Sequence, residues 1–451
     1  MEVCKMADYD VIIIGAGPGG IAAAYGLLAK GAKVAIVEEN LWGGTCPNRG
    51  CDPKKILYAS VEAIENGQYL QHHGLTGELK VDWSALMDNK RQYTSKIPTG
   101  TKQGLDHANI ATLSGHAQFL TDNQLQVGDQ VVTATDYIIA TGQRPAILPI
   151  EGKEYFQTST DFLDLDELPK SVTFVGAGYV AFELATIANA AGSDVHIIHH
   201  NDWPLKEFDQ SLVQELVAQM KAQGIKFDFN VDLTSIQKDD DQYVLKDDQQ
   251  FSLRTDAVFS TAGRIPNIDT MGLENVGVGT LKKGVQVNHR LRTDNAHIYA
   301  LGDVIARVGN EPKLTPVASF EGRYLANLLT SESNRPIEYP LIPSVVYAAP
   351  KIARIGVSPT VGKGDPDDYV VKDLDLTNWF TYFRLGEPVA KARVVLDKQT
   401  NTIVGAQVLS SKADELINYL TTVINEHQTV DEVQAEIFAY PTVASDLPYL
   451  F

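Results

Sequence analysis

The stretch YDVIIIGAGPGGIAAAYGLLAKGAKVAIVEE, residues 9–39, decides the fold. Residues 9–14 are a short apolar, β-branched run and read as a buried parallel strand. Gly15-Ala16-Gly17-Pro18-Gly19-Gly20 follows directly, residues 21–28 read as a helix of small side chains, and residues 33–37 as a second strand ending in Glu38 and Glu39. Strand, G-x-G-x-x-G, helix, strand and acid make the dinucleotide-binding fingerprint. The glycines permit a tight turn and bring a pyrophosphate to the helix N-terminus, and the acid can hold a ribose hydroxyl pair. A glycine-rich turn alone would not explain an acid at that distance.

The pattern returns once. Residues 172–175 read as a strand, Gly176-Ala177-Gly178-Tyr179-Val180-Ala181 as the turn, 182–190 as a helix and 195–198 as the next strand. No acid follows. His199, His200, Asn201 and then Lys206 stand there instead, and basic groups favour a ribose 2′-phosphate over a free hydroxyl, so NADPH is expected rather than NADH. A histidine that must be protonated is a weaker phosphate ligand than arginine, and solvated histidines at a strand end are the plain alternative.

Between the first fold and the second lies GGTCPNRGCDPKK, residues 43–55, with Cys46 and Cys51, two of the three cysteines in the chain. Gly43 and Gly44 let the backbone approach something closely. Pro53 suits a first helical turn, so Cys51 falls at a helix N-terminus, where partial positive charge favours thiolate over thiol. Lys54 and Lys55 add positive charge. This describes a reactive dithiol. A structural disulfide or a fragment of a metal site are the bland readings. No second Cys or His cluster supplies further metal ligands, so no metal site is expected.

At 451 residues the chain has room for roughly two to four domains. Its 44% apolar content is that of a globular protein. A net charge of −19 argues against a nucleic-acid partner and against an anionic membrane surface. So few cysteines make no secreted disulfide framework, and the apolar run before the first glycines is too short for a signal peptide or a membrane span. A cytoplasmic protein is expected. Cys4 lies in the leader and receives no role.

Residues 137–140 read as a strand leading into Thr141-Gly142-Gln143-Arg144-Pro145, and 257–260 as one leading into the related string 261–267, TAGRIPN. Both look like points where a strand end meets a cofactor and the chain changes domain. HIYALGDV, 297–304, reads as a strand ending in Gly302-Asp303, whose carboxylate can accept hydrogen bonds from a sugar-alcohol chain. From Ser344 the pattern alternates: residues 345–357, 382–386 (YFRLG), 390–397 and 402–410 read as antiparallel strands, and 412–426 as an amphipathic helix. Such a terminal domain needs a face to bury against, and a dimer mate is one candidate.

With these residues in hand, the chain resembles the flavin-dependent pyridine nucleotide–disulfide oxidoreductases, which include glutathione reductase, dihydrolipoamide dehydrogenase and mercuric reductase. The motifs come in the family's order: GAGPGG, GGTCPNRGCDPKK, GHAQF (115–119), ATGQRP (140–145), GAGYVAFELA (176–185), TAGRIPN, ALGDV (300–304) and LTPVA (314–318). The resemblance implies an α/β chain with two doubly wound, Rossmann-like dinucleotide-binding domains and a C-terminal α+β dimerisation domain. It implies an FAD domain in two pieces, 1–148 and 268–338, an NAD(P)H domain at 149–267 and a homodimer interface domain at 339–451. By position, Gly15, Gly17, Gly19, Gly20, Glu38, Thr45, Lys54, Ala117, Gly142, Asp303 and Thr315 should touch FAD. Ala177, Tyr179, Val180, Glu183, His199, Lys206 and Gly263 should touch the nicotinamide nucleotide, with Tyr179 covering the flavin. A Lys54–Glu183 ion pair beside the flavin is implied, as a cation there stabilises the reduced ring. So is a Cys46–Cys51 redox pair: Cys51 faces the flavin, while Cys46 attacks the substrate disulfide and is resolved by Cys51.

The chain departs from the family at its end. A His-Pro-Thr string with a Glu five residues on normally supplies the proton shuttle from the dimer mate. Here Tyr440-Pro441-Thr442 and Ser445 stand in those places, with Asp446 one further on. A phenol of pKa ~10 can donate a proton but is a poor base at neutral pH. Asp52 replaces a usual apolar residue and would raise the thiols' pKa by like-charge repulsion. A glutathione-holding Arg position is Tyr25, and Arg323 matches the other. The expected activity is NADPH:disulfide oxidoreduction on a small disulfide, with Tyr440 as donor or orienting group. The alternatives are electron transfer to a quinone, metal ion or oxygen, and a redox-sensing protein without catalysis.

Overall fold

The computed structural model describes residues 7–71, 73–307, 309, 311–331 and 334–451. Cys4 lies outside them. The chain divides into two compact units.

The first unit gathers residues up to Lys54, 88–146 and 264–338. Its centre is a five-stranded parallel sheet in the order Ile298–Ala300, Ala134–Ile139, Tyr9–Ile14, Val34–Glu38, Ala111–Ser114. Ile12, Ile13, Ala35 and Ile36 are fully buried, which is why these strands read as unbroken apolar runs: a parallel sheet is covered on both faces. Helix Pro18–Leu28 starts at the glycine turn, with Pro18, which has no backbone N–H, in the first turn, where that donor would have no intrahelical partner. It packs on helix Thr315–Thr330 through small residues. A Cβ on Gly26 would stand 2.6 Å from the Ala326 Cβ, and one on Gly322 2.4 Å from the Gly19 carbonyl oxygen. The expected strand over 297–304 stops at Ala300. Gly302, at φ 75°, turns Gly302–Val304 into a 3-10 helix.

The second unit gathers residues 55–87, 147–263 and 339–451. Its parallel sheet runs Lys226–Phe229, Asp194–His199, Ser171–Val175, Ala257–Ser260. The C-terminal part is an antiparallel sheet in the order Ser344–Val346, Lys351–Gly356, Ile403–Ser410, Lys391–Asp397, Tyr369–Asp375. Helix Ala413–Asn425 lies on it, burying Leu416, Ile417, Leu420, Val423 and Ile424, each worth roughly 1.5–3 kcal/mol. One reading fails here, and one strand was not expected. YFRLG is no strand: Phe380–Phe383 is a helical turn that buries Tyr382, leaves Phe380 and Phe383 exposed, and ends at Gly386 with φ 68°. Tyr369–Asp375 is an edge strand whose polar residues hid it. Among the described residues no helix is long and apolar enough to cross a membrane, and no group of three His, Cys, Asp or Glu side chains could hold a metal ion.

Candidate active site

The first unit brings the C-terminal ends of its parallel strands together. Gly15 follows Ile14, Glu38 closes its strand, Gly142 follows the third, and Asp303 follows the fourth. This is the crevice where open α/β sheets bind nucleotides. Gly15 has φ 113°, and a Cβ there would sit 2.4 Å from the Ala140 carbonyl oxygen. Gly44 has φ 69°, and its Cβ would lie 2.6 Å from Gly17 Cα. The cradle is therefore made of bare backbone, and side chains would fill it. Glu38 Oε2 accepts from the Ala16 amide at 3.0 Å and its Oε1 from Asn40 at 2.8 Å, while burial pushes its pKa up. Asp303 sits in the 3-10 turn. Burial raises its pKa, against the pull of Arg264, Lys313 and Arg307. Thr45 opens a short helix, Ala117 is buried on strand Ala117–Thr121, and Gly142 stands open at φ 66°. These residues fit a dinucleotide such as FAD.

The dithiol borders the same crevice. Asn48 Nδ2 clamps the loop by donating to the Trp42 and Gly44 carbonyls at 3.0 and 2.8 Å. Gly50 lets helix Thr45–Arg49 turn straight into helix Cys51–Leu70, since a Cβ there would be 2.9 Å from the Thr45 carbonyl oxygen. That helix begins at Cys51 itself, two residues before Pro53. Both cysteines are thiols, Cys46 half-buried and Cys51 exposed, and Cys51 is the first cause that raises the Cys46 pKa. Cys51 Sγ also lies 3.7 Å from Thr315 Oγ1. Cys51 and Thr315 each open a helix, of 20 and 16 residues, so two positive helix ends meet at one sulfur and favour negative charge there. The Cys46 thiol moves the other way. The Cys51 hydrogen bond, burial, the charge on Cys51 and the Asp52 carboxylate all push its pKa up, against the Thr315 hydroxyl.

In the second unit the glycine turn repeats the first. Gly176 has φ 112° with Thr261 against it, Gly178 and Gly263 are open, and Tyr179 and Val180 start helix Tyr179–Ala190. His199 occupies Glu38's place: its Nδ1 accepts from the Ala177 amide at 3.3 Å. Burial and the neighbouring His200 ring lower its pKa, so it stands neutral at neutral pH. The cationic role expected of it is not the one its hydrogen bond serves. Lys206 is exposed, beside Leu205, whose amide bonds the Ala177 carbonyl at 3.0 Å.

Glu183 is buried within that helix and accepts from Lys55 Nζ at 3.1 Å and from the Tyr347 amide at 3.0 Å. Lys55 lies 3.4 Å from the Tyr347 ring centroid. Sequence reasoning paired Glu183 with Lys54 and did not foresee that Lys55 and Tyr347 also bond it. Helical spacing after Cys51 marks both lysines as candidates, but nothing local marks Tyr347. At the C-terminus, Tyr440 is 76% exposed and stacks on Phe380 at 6.2 Å. Ser445 is committed to a capping box with Thr442, and Asp446 accepts from Thr381 at 3.1 Å. The Ser445 hydroxyl is thus occupied, while Asp446 bonds through one carboxylate oxygen only.

A nucleotide crevice beside a dithiol, with a second dinucleotide fold in the same chain, defines a pyridine-nucleotide-linked redox flavoprotein. The chain belongs to the pyridine nucleotide-disulphide oxidoreductase family, whose model matches residues 9–322, and the family's dimerisation domain matches 342–450. It is thus an oxidoreductase of a family that uses FAD and NAD(P)H. It is 30% identical over 443 residues to a glutathione reductase of Burkholderia cepacia, covering 97% of each chain. It is 30% identical over 447 residues to a Bacillus subtilis dihydrolipoyl dehydrogenase, 97% and 94% covered. A Staphylococcus aureus mercuric reductase matches at 30% over 448 residues, 98% and 81% covered. The HOCl-induced flavoprotein disulfide reductase RclA of Escherichia coli shares the fold, with TM-score 0.88 at 24% identity over 98% and 99% of the two chains.

Proposed function

We propose that the chain is an NADPH-oxidising, FAD-dependent disulfide reductase that acts on a low-molecular-weight disulfide as a cytoplasmic homodimer. The observation that carries this reading is the Cys46 and Cys51 thiols, with Cys51 at two helix N-termini beside a glycine-built cradle. In this reading FAD lies in 1–148 and 268–338, the nicotinamide nucleotide in 149–267, and the dimer face in 339–451. Gly15, Gly17, Gly19, Gly20, Glu38, Thr45, Lys54, Ala117, Gly142, Asp303 and Thr315 hold FAD. Ala177, Tyr179, Val180, Glu183, Lys206 and Gly263 hold NADPH, and His199 holds the turn. The bound flavin supplies the passage of two electrons from reduced nicotinamide to the sulfurs.

The chain's own residues do the rest. The helix ends keep thiolate on Cys51, Cys46 attacks the substrate disulfide, and Cys51 then attacks Cys46 Sγ, releasing the second thiolate and closing the disulfide. Tyr440 of the partner subunit stands where the family's proton shuttle does.

The test is NADPH oxidation by the purified holoenzyme with glutathione, coenzyme A, lipoamide and cystine disulfides. Turnover that requires Cys46 is expected, and no turnover with any of them refutes the reading. The occupied Ser445 hydroxyl and the absent imidazole favour a second reading, a quinone, metal-ion or oxygen acceptor. Acceptor reduction that survives Cys46→Ser would establish it.

A further inference from the structure

Asp52 touches the outer thiol. Cys46 Sγ donates to Asp52 Oδ1 at 3.9 Å, and Asp52 Oδ2 accepts from the Tyr93 hydroxyl at 2.8 Å. Asp52 is the second residue of the helix that Cys51 opens, and Tyr93 comes from helix Trp83–Thr94. The three groups form a line from a half-buried sulfur through a carboxylate to a phenol that is 45% exposed. This has the connectivity of a base held by an orienting partner, built within one chain. The hydrogen bond to Asp52 raises the Tyr93 pKa, which keeps the phenol protonated and donating.

We propose that Asp52, oriented by Tyr93, is the proton partner of Cys46 in disulfide reduction, replacing in the same chain the imidazole and carboxylate missing from residues 440 and 445. The proposal rests on the disulfide-reductase reading above. At rest the carboxylate accepts the Cys46 S–H, so the charge of the reduced pair resides on Cys51. As Cys46 Sγ attacks a substrate R–S–S–R, the S–H proton passes to Asp52, the Cys46–S–R bond forms and the substrate S–S bond breaks. The leaving RS⁻ takes that proton from Asp52 and departs as RSH. Cys51 thiolate then attacks Cys46 Sγ, the mixed disulfide breaks, a second RS⁻ leaves, and the Cys46–Cys51 bond holds the two electrons' worth of oxidation taken from the substrate. With FAD bound, reduced nicotinamide would supply the two electrons that return the Cys46–Cys51 disulfide to the dithiol.

The test uses holoenzyme carrying Asp52→Asn, a near-isosteric change, with flavin absorbance confirming the fold. Two readouts are taken. Iodoacetamide alkylation of Cys46 in the reduced protein, located by peptide mass, is followed against pH. Removing the carboxylate should lower its midpoint by about one pH unit, so that alkylation at neutral pH rises about tenfold. Disulfide turnover should fall roughly tenfold to hundredfold, because proton delivery is lost even as the thiolate becomes more abundant. Asp52→Glu should restore part of the turnover, and Tyr93→Phe should lower it several-fold while leaving the flavin bound. An unchanged alkylation midpoint overturns the proposal, and so does Asp52→Asn turnover that equals or exceeds that of the unaltered enzyme. If the unaltered enzyme reduces no disulfide, the functional reading fails by that result alone, and the alkylation midpoint still decides the contact between Asp52 and Cys46.

Discussion

Replacing Glu65 by Gln should stabilise the protein above neutrality and leave it nearly unchanged near pH 4.5. Glu65 is 7% exposed on helix Cys51–Leu70 and accepts from the Tyr69 hydroxyl at 2.9 Å. Burial is the main cause that lifts its pKa from 4.5 to about 7. Glu387 and Glu62 push the same way, while the Tyr69 hydrogen bond and Lys351 pull back. A carboxyl whose folded pKa lies above its unfolded one binds more protons when folded. Stability therefore falls as pH rises from about 4.5 to about 7 and is flat beyond. The interval spans some 2.5 units at 1.36 kcal/mol each, so the ionised group costs about 3 kcal/mol at pH 8. A glutamine keeps the oxygen that Tyr69 bonds and carries no charge. Part of the gain is lost to its poorly partnered amide, leaving about 2 kcal/mol. The assay is thermal unfolding of the holoenzyme at pH 5 and pH 8. A rise of about 2 °C at pH 8 and little change at pH 5 are expected. Equal shifts at both values would refute the reasoning, since a packing effect has no reason to follow this titration.

Three further outcomes are expected. Gly44→Ala should yield protein with little bound flavin, because a Cβ 2.6 Å from Gly17 Cα and a φ of 69° together cost about 3 kcal/mol or more; flavin absorbance per polypeptide reads this directly. His199→Arg should raise the preference for NADPH over NADH about tenfold at pH 8, measured as the ratio of kcat/KM values. In the unaltered enzyme that ratio should climb only below the ordinary histidine range, since burial and His200 hold the imidazole neutral above it. Tyr440→His should raise disulfide reduction near neutral pH by roughly tenfold or more, seen as a shift in the pH–rate profile.

What could be read in the sequence was what is local. Two glycine turns, each between a short apolar strand and a helix, need particular residues at particular backbone positions, so both nucleotide folds were legible to within a few residues. The terminal helix was legible because five apolar side chains recur at helical spacing. YFRLG was not, because five residues cannot distinguish an alternating strand from one helical turn. The edge strand Tyr369–Asp375 was not, because its polar residues carry no burial signal. At the site, the two cysteines announce themselves, while Tyr93, 41 residues from Asp52, and Tyr347, 164 from Glu183, are brought in by the fold alone. The charge state of His199 was hidden for a related reason: its type suggests a cation, but the burial that the fold imposes, with the His200 ring beside it, lowers its pKa.

Glu38 and His199 answer one demand in two chemistries. Each glycine turn has an amide that requires an acceptor from the end of the next strand, at 3.0 Å in one fold and 3.3 Å in the other. An anion satisfies the first and a neutral ring the second. Loop anchorage is thereby indifferent to the charge of the group that provides it. A lineage can exchange the acceptor there and retain the bend.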